Sequence, residues 1–175
     1  MKSKHGFETT QERSDLMRKI KAKNTTPEII LRKILWKEGI RYRIENKKIT
    51  GNPDIAIKKH KIAIFVDGEF WHGFNWYEKK TKIKSNREYW IRKIERNIER
   101  DKKYNQLLID KKWIVLRFWE QEIKKDLNKC IEIVKDTIAS QSSSLAGRSK
   151  SQETTKTSQR ACLLKRTADR NEVAN

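Results

Sequence analysis

The stretch NPDIAIKKHKIAIFVDGEFWHG, residues 52–73, decides the fold. Two short apolar runs, Asp54–Ile57 and Ile62–Val66, flank a polar segment, which is the pattern of a β-hairpin. Asp54 opens the first strand and Asp67 ends the second, so antiparallel pairing brings both carboxylates to the same edge of the sheet. The sequence therefore predicts a hairpin that carries two acidic side chains at one rim.

Further elements on both sides of the hairpin follow from helical or strand periodicity. Upstream, Thr25-Thr26-Pro27-Glu28 has the cap, the proline and the acidic residue of a helix start, and Gly39 suits the end of that helix. The other predicted elements are a short basic helix around Leu16–Ile20, a strand at Arg41–Glu45, a long helix from about Arg87 to Asp110, a buried strand at Trp113–Trp119 and a closing helix that ends near Ile138. This order predicts an α/β fold with an αβββαβ core, in which helices flank a central mixed sheet.

One compact domain accounts for residues 14–138, and the two ends differ from it in composition. Residues 1–13 are polar and aperiodic, and we expect them to be flexible. No aromatic residue follows Trp119, and from Ala139 the chain is rich in Ser, Gln, Thr, Lys and Arg. Such a composition cannot bury enough apolar surface to offset the entropy of ordering. We therefore predict a disordered basic tail over residues 139–175.

The charge of the chain indicates a polyanionic partner. Forty-two Lys and Arg residues against 23 Asp and Glu residues give a formal net charge of +19. No stretch approaches the roughly 18 apolar residues of a membrane span and no signal peptide is recognisable, so nucleic acid in the cytoplasm is favoured over a membrane. A basic surface that is merely solvated is the alternative. Cys130 and Cys162 have neither the spacing of a zinc site nor that of a disulfide framework.

Side chains near the hairpin rim have the chemistry that hydrolysis of a phosphodiester requires. This reaction uses a divalent cation, and Mg²⁺ prefers carboxylate oxygens, which Asp54 and Asp67 supply. Glu69 and His72 follow directly. Each residue also has a structural alternative: Asp54 as a turn residue at the strand entry, Asp67 as a turn residue beside Gly68, and His72 as a hydrogen-bonding group in the core.

Two acidic residues elsewhere also allow two interpretations. Asp101 falls within the apolar stripe of the long helix, so its carboxylate needs a partner, which is His72, a metal ion, or a structural Arg or Lys. Glu28, in the first turn of its helix, is either a carboxylate that suits the helix dipole or a functional group.

The segment that follows the hairpin combines aromatic and basic residues. It contains Phe70, Trp71, Trp76 and Tyr77, interleaved with or followed by Lys79, Lys80, Lys82 and Lys84. A base-contacting loop needs aromatic platforms beside cations, although packing beneath a loop would use the same residues. Lys79 and Lys80, with Arg18 and Lys19 of the short basic helix, are the candidate DNA-binding cations.

Short motifs spread along the chain resemble the very short patch repair endonucleases, which nick DNA beside a T·G mismatch. Their order and spacing carry the resemblance, which runs from Ser14 to Trp119 and beyond. The motifs are Ser14–Met17, Thr26-Pro27-Glu28, Pro53-Asp54, Phe65–His72, Asn97-Ile98-Glu99-Arg100-Asp101 and Trp119-Glu120. The resemblance implies a restriction-endonuclease-like fold and Mg²⁺-dependent hydrolysis of double-stranded DNA.

The resemblance also implies roles for single residues. Asp54 would bind the metal, His72 would assist proton transfer, Asp101 would orient His72, and Glu28 would lie near the nucleophile or its water. The residues that would wedge into the base stack beside the mismatch are Met17, Phe70 and Trp71.

The chain departs from the familiar form of that family in two respects and from the broader restriction-endonuclease-like pattern in a third. The familiar form has a structural zinc, but the matching positions here are Glu69, Phe74, Trp76 and Gln121, so we expect no zinc. Asp67 stands where the familiar form has a histidine, which would add a second Mg²⁺ ligand beside Asp54. The aspartate, acidic residue, any residue and lysine pattern of restriction-endonuclease-like nucleases is incomplete, because Glu69 occupies the place of the lysine.

Together these features favour an Mg²⁺-dependent DNA endonuclease that nicks one strand at or near a T·G mismatch through attack of a metal-activated water. We expect it to act as a monomer associated with the nucleoid. Two alternatives remain, a sequence-specific restriction-type endonuclease and a DNA-binding module that is catalytically silent.

Overall fold

A mixed three-stranded sheet forms the centre of the protein. The computed structural model of the chain describes residues 11–12, 15, 18, 23–44 and 47–146. Within this part, strands β1 (Ile55–Ile57), β2 (Ile62–Asp67) and β3 (Ile114–Trp119) lie in the order β1-β2-β3. β1 is antiparallel to β2, whereas β3 is parallel to β2. The predicted hairpin and the α/β class with a mixed sheet are confirmed.

β2 is the central strand because its sequence is apolar on both faces. All of its residues are buried, as expected for a strand that is covered on both sides. On one face the core includes Leu31 and Val134, and on the other Phe65 packs with Leu108. Burial of each such side chain contributes about 1.5–3 kcal/mol. This packing fixes the position of Asp67, which ends the strand.

Helices cover both faces of the sheet. They are α1 (Thr26–Lys37), α2 (Trp76–Lys82), α3 (Arg87–Asp110), α4 (Glu120–Lys125) and α5 (Leu127–Ala146). Thr25 is the N-cap residue of α1, and Gly39 follows its end with a φ of +77°, which glycine adopts without strain. The predicted start of α1 and both predicted ends of α3 agree with the structure.

The structure differs from the predicted elements in three places. Of the predicted strand at Arg41–Glu45, the described residues 41–44 form one bridge, between Arg43 and Ala56, and Ile44 beside it is half exposed. The short helices α2 and α4 were not predicted, because six or seven residues show too little periodicity. α5 continues past residue 138 to Ala146, through residues 139–146, which were predicted to belong to the disordered tail.

Serine hydroxyls accompany the additional turns of α5. Ser140 and Ser142 donate hydrogen bonds to backbone carbonyls one turn earlier, so these polar residues are accommodated in a helix. Residues 1–10 and 147–175 lie outside the described residues, and the flexible N-terminus and the disordered tail stay predictions. In the part of the chain that is described, no helix is long and apolar enough to cross a membrane.

Candidate active site

Asp54 lies at the edge of the sheet, immediately before β1. The strand register places it opposite Phe65, and its Oδ2 accepts a hydrogen bond of 2.8 Å from the backbone N–H of Val66. Burial raises the pKa of Asp54 to about 6; the bond from Val66 opposes this shift, while the charges of Glu28 and Asp67 add to it. Negative charge therefore accumulates at this edge, and a divalent cation bound there would neutralise part of it.

Glu28 is the second acidic group at this edge, and it is only 3% exposed. Its Oε2 accepts hydrogen bonds from Arg32 Nη2 at 2.8 Å and from the backbone N–H of Asn24 at 3.0 Å. Its Oε1 accepts one from the Thr25 hydroxyl at 3.1 Å. Three hydrogen-bond donors thus fix the carboxylate in the interior, whereas the helix-dipole interpretation requires no such specific partners. The charge of Arg32 also lowers the pKa of Asp54, but less than burial raises it.

His72 and Asp101 are in direct contact, as one of the sequence interpretations predicted. His72 Nδ1 lies 2.5 Å from Asp101 Oδ2. Burial alone would raise the pKa of Asp101, but the hydrogen bond from His72 and the charges of Arg117 and Arg100 lower it overall. Because an ionised carboxylate only accepts, Nδ1 carries the proton and the other ring nitrogen, Nε2, is available as a base.

Asp67 has a partner that sequence reasoning missed. Arg117, in β3, donates from Nε to Asp67 Oδ2 at 2.6 Å and from Nη2 to Asp67 Oδ1 at 2.7 Å. Its Nη2 also lies 3.3 Å from Asp101 Oδ2, so the structural Arg considered for Asp101 is present together with His72. A signal was available, because Arg117 is the one charged residue in the apolar run Trp113–Trp119.

The predicted acidic pair at the sheet edge is therefore divided between two environments. In the described part of the chain, one group of metal-ligand type combines Asp67, His72 and Asp101, whose ligand atoms all lie within 4.8 Å of one another. Asp54 is not a member of this group, although its charge and that of Asp67 interact. Arg117 is in contact with both carboxylates of the group.

An aromatic cluster lies next to these residues in the chain. The ring centroids of Phe70, Trp71 and Trp90 are 5.3 to 5.7 Å apart. Lys93 Nζ lies 5.3 Å from the centroids of both tryptophan rings, and Asn97 Nδ2 donates to the backbone carbonyl of Trp71 at 3.0 Å. Phe70 is 41% exposed. Trp90 and Lys93 were not predicted as site residues.

The other predicted DNA-contacting residues are dispersed. Lys80 Nζ is 2.6 Å from Glu95 Oε1, which also accepts from Trp76 Nε1 at 3.5 Å. Lys79 Nζ lies 4.8 Å from the ring centroid of Phe74. Arg18 is exposed and pairs with Asp15 at 3.0 Å. Met17 and Lys19 lie outside the described residues.

Comparison with known proteins identifies the family. A family model described as DNA mismatch endonuclease Vsr matches residues 6–78. The DNA mismatch endonuclease Vsr of Escherichia coli strain K12 is 33% identical over 108 residues, which are 62% of this chain and 69% of that relative. The chain belongs to the Vsr endonuclease family. It is accordingly a DNA endonuclease.

Two type II nicking enzymes are similar over a larger share of both chains. The type II nicking enzyme V.NmeDIP of Neisseria meningitidis serogroup C is 46% identical over 130 residues, which are 74% of this chain and 88% of that enzyme. The type II nicking enzyme V.HpaIIP of Haemophilus parainfluenzae is 48% identical over 122 residues, 69% of this chain and 86% of that enzyme.

The four positions at which a Vsr-type zinc site was considered make other contacts here. Glu69 Oε1 accepts a hydrogen bond of 2.8 Å from the backbone N–H of Gln121. Phe74 packs edge to face against Trp119, with ring centroids 5.1 Å apart. Trp76 contacts α3 through Glu95. These contacts join the segment after β2 to α3 and to the start of α4.

Proposed function

We propose that this Vsr family member is an Mg²⁺-dependent enzyme that nicks one strand of double-stranded DNA at or near a T·G mismatch. The observation that carries the proposal is the half-buried Asp54, which has acidic neighbours and a raised pKa, in a site that also contains a histidine held by Asp101. One carboxylate suits a cation, and one imidazole suits proton transfer.

Asp54 is the residue to which we assign the cation. Its Oδ2 is held by the Val66 N–H, which fixes the carboxylate at the sheet edge. Glu28 lies close enough to raise the pKa of Asp54, but both of its oxygens already accept hydrogen bonds, so a role near the nucleophile or its water stays a prediction from the family resemblance. When bound, Mg²⁺ would neutralise charge on the phosphate and activate the attacking water. Asp67 is not retained as a ligand, because Arg117 engages both of its oxygens.

His72 is the residue to which we assign proton transfer. Asp101 accepts from Nδ1–H and so fixes both the ring orientation and the tautomer, leaving Nε2 to exchange a proton with the substrate or with water. Asp101 is 3% exposed, which keeps this contact away from competing water. This arrangement favours an enzyme over the catalytically silent alternative.

The aromatic cluster is the part that we propose enters the base stack. Phe70 is exposed, its ring contacts Trp71 and Trp90, and Asn97 fixes the backbone of Trp71. Exposed aromatic side chains that are held rigidly can insert between base pairs and take the place of a stacked base. The names of the relatives, a mismatch endonuclease and type II nicking enzymes, support cleavage of one strand.

A nicking assay on matched duplexes tests the proposal. Two duplexes that differ only in one T·G or T·A pair are incubated with Mg²⁺ and, separately, with EDTA. We expect one-strand cleavage that requires Mg²⁺, prefers the T·G duplex and is lost in Asp54→Asn, while Asp136→Asn, which changes an exposed carboxylate on α5, retains it. Equal cleavage of both duplexes would support the restriction-type alternative, and nicking by Asp54→Asn would refute the assignment of the cation.

A further inference from the structure

Arg117 connects three elements of the fold through a single guanidinium group. From β3 it reaches Asp67 at the end of β2 with two parallel hydrogen bonds. Its Nη1 donates to Asn105 Oδ1 on α3 at 3.0 Å, and its Nη2 lies 3.3 Å from Asp101 Oδ2, one turn earlier on the same helix. Its Cζ lies 4.6 Å from the ring centroid of Phe65.

This guanidinium is buried and remains charged. The side chain of Arg117 is 10% exposed, and those of Asp67 and Asp101 are 3% and 5% exposed. Burial would lower the pKa of Arg117, but the charges and hydrogen bonds of Asp67 and the charge of Asp101 raise it overall. An arginine that donates in parallel to one carboxylate and also touches a second is held in one orientation.

We propose that Arg117 is a positioning residue that serves as the built-in cation of the Asp67, His72 and Asp101 group, so that this group holds His72 and does not bind Mg²⁺. The proposal rests on the proposed role of His72 in proton transfer. On this proposal, the two carboxylates and the imidazole lie close together because they surround the guanidinium of Arg117, not because they bind a metal ion.

The contacts leave little for a metal ion to bind in this group. Both oxygens of Asp67 already accept from Arg117, and Asp101 Oδ2 accepts from His72 and lies beside Arg117. His72 Nδ1 carries a proton while it donates to Asp101, and a metal ligand must be deprotonated. A divalent cation would also be repelled by the buried guanidinium at short range.

The same contacts show how Arg117 acts on His72. The Asp101 oxygen that accepts from His72 Nδ1 is also the one closest to Arg117 Nη2. Removing the guanidinium leaves two buried carboxylates, Asp67 and Asp101, without their shared cation, and His72 Nδ1 lies only 3.4 Å from Asp67 Oδ1. His72 then has two competing acceptors, and its ring loses a unique orientation.

Three variants separate the roles of the two acidic sites. Arg117→Met removes the fixed cation, Asp67→Asn removes its first partner, and Asp54→Asn removes the proposed Mg²⁺ ligand. Lys135→Met is the matched control, because it removes an exposed cation of α5 that pairs with Glu38, the residue after the end of α1. For each variant, binding of Mn²⁺ to the free protein is measured by calorimetry and single-turnover nicking is measured over a range of Mg²⁺ concentrations.

We expect Arg117→Met to lower the nicking rate at saturating Mg²⁺ by about 10- to 100-fold, as for other residues that orient a catalytic group. The Mg²⁺ concentration at half-maximal rate and the Mn²⁺ affinity should stay close to those of the unmodified protein in Arg117→Met and in Asp67→Asn. In Asp54→Asn, by contrast, Mn²⁺ binding and nicking should both be lost. The chain has three histidines, so the ¹⁵N signals of His72 can be assigned with a His72→Gln variant, and its Nδ1–H signal should shift or broaden in Arg117→Met.

Two results would overturn the inference. Loss of Mn²⁺ binding in Asp67→Asn would make the group a metal site, and a normal rate with an unchanged His72 signal in Arg117→Met would remove the positioning role. If Arg117→Met does not fold, the double variant Asp67→Asn/Arg117→Met removes both charges together; it should fold and still nick slowly, and full activity would refute the role. Normal Mn²⁺ binding and nicking by Asp54→Asn would instead overturn the proposed function.

Discussion

Asp54→Asn should stabilise the metal-free protein while it abolishes nicking. The pKa of Asp54 is raised from 3.8 to about 6, mainly by burial. One pKa unit corresponds to about 1.4 kcal/mol, so keeping this carboxylate ionised in the folded protein costs about 3 kcal/mol at neutral pH. Asparagine has no charge to bury, and its carbonyl oxygen can still accept the hydrogen bond from the N–H of Val66.

The pH dependence of this stabilisation follows from the direction of the shift. Between pH 3.8 and about 6 the folded protein retains a proton on Asp54 that the unfolded chain has released, so stability falls as the pH rises through this interval. Asp54→Asn lacks that decline. Its advantage in the free energy of unfolding should therefore be absent below pH 4 and reach its full value above about pH 6.

Urea unfolding in EDTA, followed by tryptophan fluorescence at a series of pH values, measures this difference. Adding Mg²⁺ at about 100 times its dissociation constant should stabilise the unmodified protein by about 2.7 kcal/mol and leave Asp54→Asn unchanged. Asp136→Asn, with an exposed side chain, is the control and should follow the unmodified protein throughout. If Asp54→Asn were less stable than the unmodified protein at neutral pH in EDTA, the argument from burial would be wrong.

Three further changes give distinct results. Asp101→Asn should slow nicking by about 10²- to 10⁴-fold, because an amide no longer selects one tautomer of His72, while DNA binding measured by fluorescence anisotropy stays unchanged; a normal rate would contradict the role of Asp101. Phe70→Ala should reduce the preference for the T·G duplex by about 1–3 kcal/mol, with a smaller loss of melting temperature than truncation of a fully buried aromatic because the ring is 41% exposed, and an unaltered preference would exclude it from the base stack. Glu69→Ala should reduce stability by about 1 kcal/mol through loss of the acceptor for Gln121, whereas a zinc chelator should leave the melting temperature of the unmodified protein unchanged.

The parts of the fold that sequence predicts are those in which local pattern and burial agree. The apolar run Ile62–Val66 and the stripe of α3 are long enough for their periodicity to identify a strand and a helix, and the structure confirms both. The strand at Arg41–Glu45 was wrong as a full strand, because alternation of apolar residues does not reveal whether a partner strand is long enough to pair. β1 has only three residues, so one bridge remains.

One contact of the candidate site could be predicted from the sequence, and another could not. The contact between His72 and Asp101 was among the predicted alternatives, because a carboxylate in an apolar stripe requires a partner. The bond of Arg117 to Asp67 joins residues 50 positions apart, and it depends on the parallel pairing of β2 with β3. Such a contact leaves no trace in local periodicity. A lone arginine in a buried strand does, however, indicate that an acidic partner lies across the sheet.

On the assignments proposed above, the two acidic sites would use different cations for a physical reason. A residue that binds an exchangeable metal ion must be able to release that ion to solvent. The two residues of a proton-transfer pair, in contrast, must keep their relative orientation through the reaction. Asp54 has the first property: it retains a raised pKa, since the charge of Arg32 only partly offsets burial. Asp101 has the second, because Arg117 and His72 lower its pKa and fix its position. On these assignments, the arginine would allow a carboxylate to lie beside the histidine without competing with Asp54 for the metal.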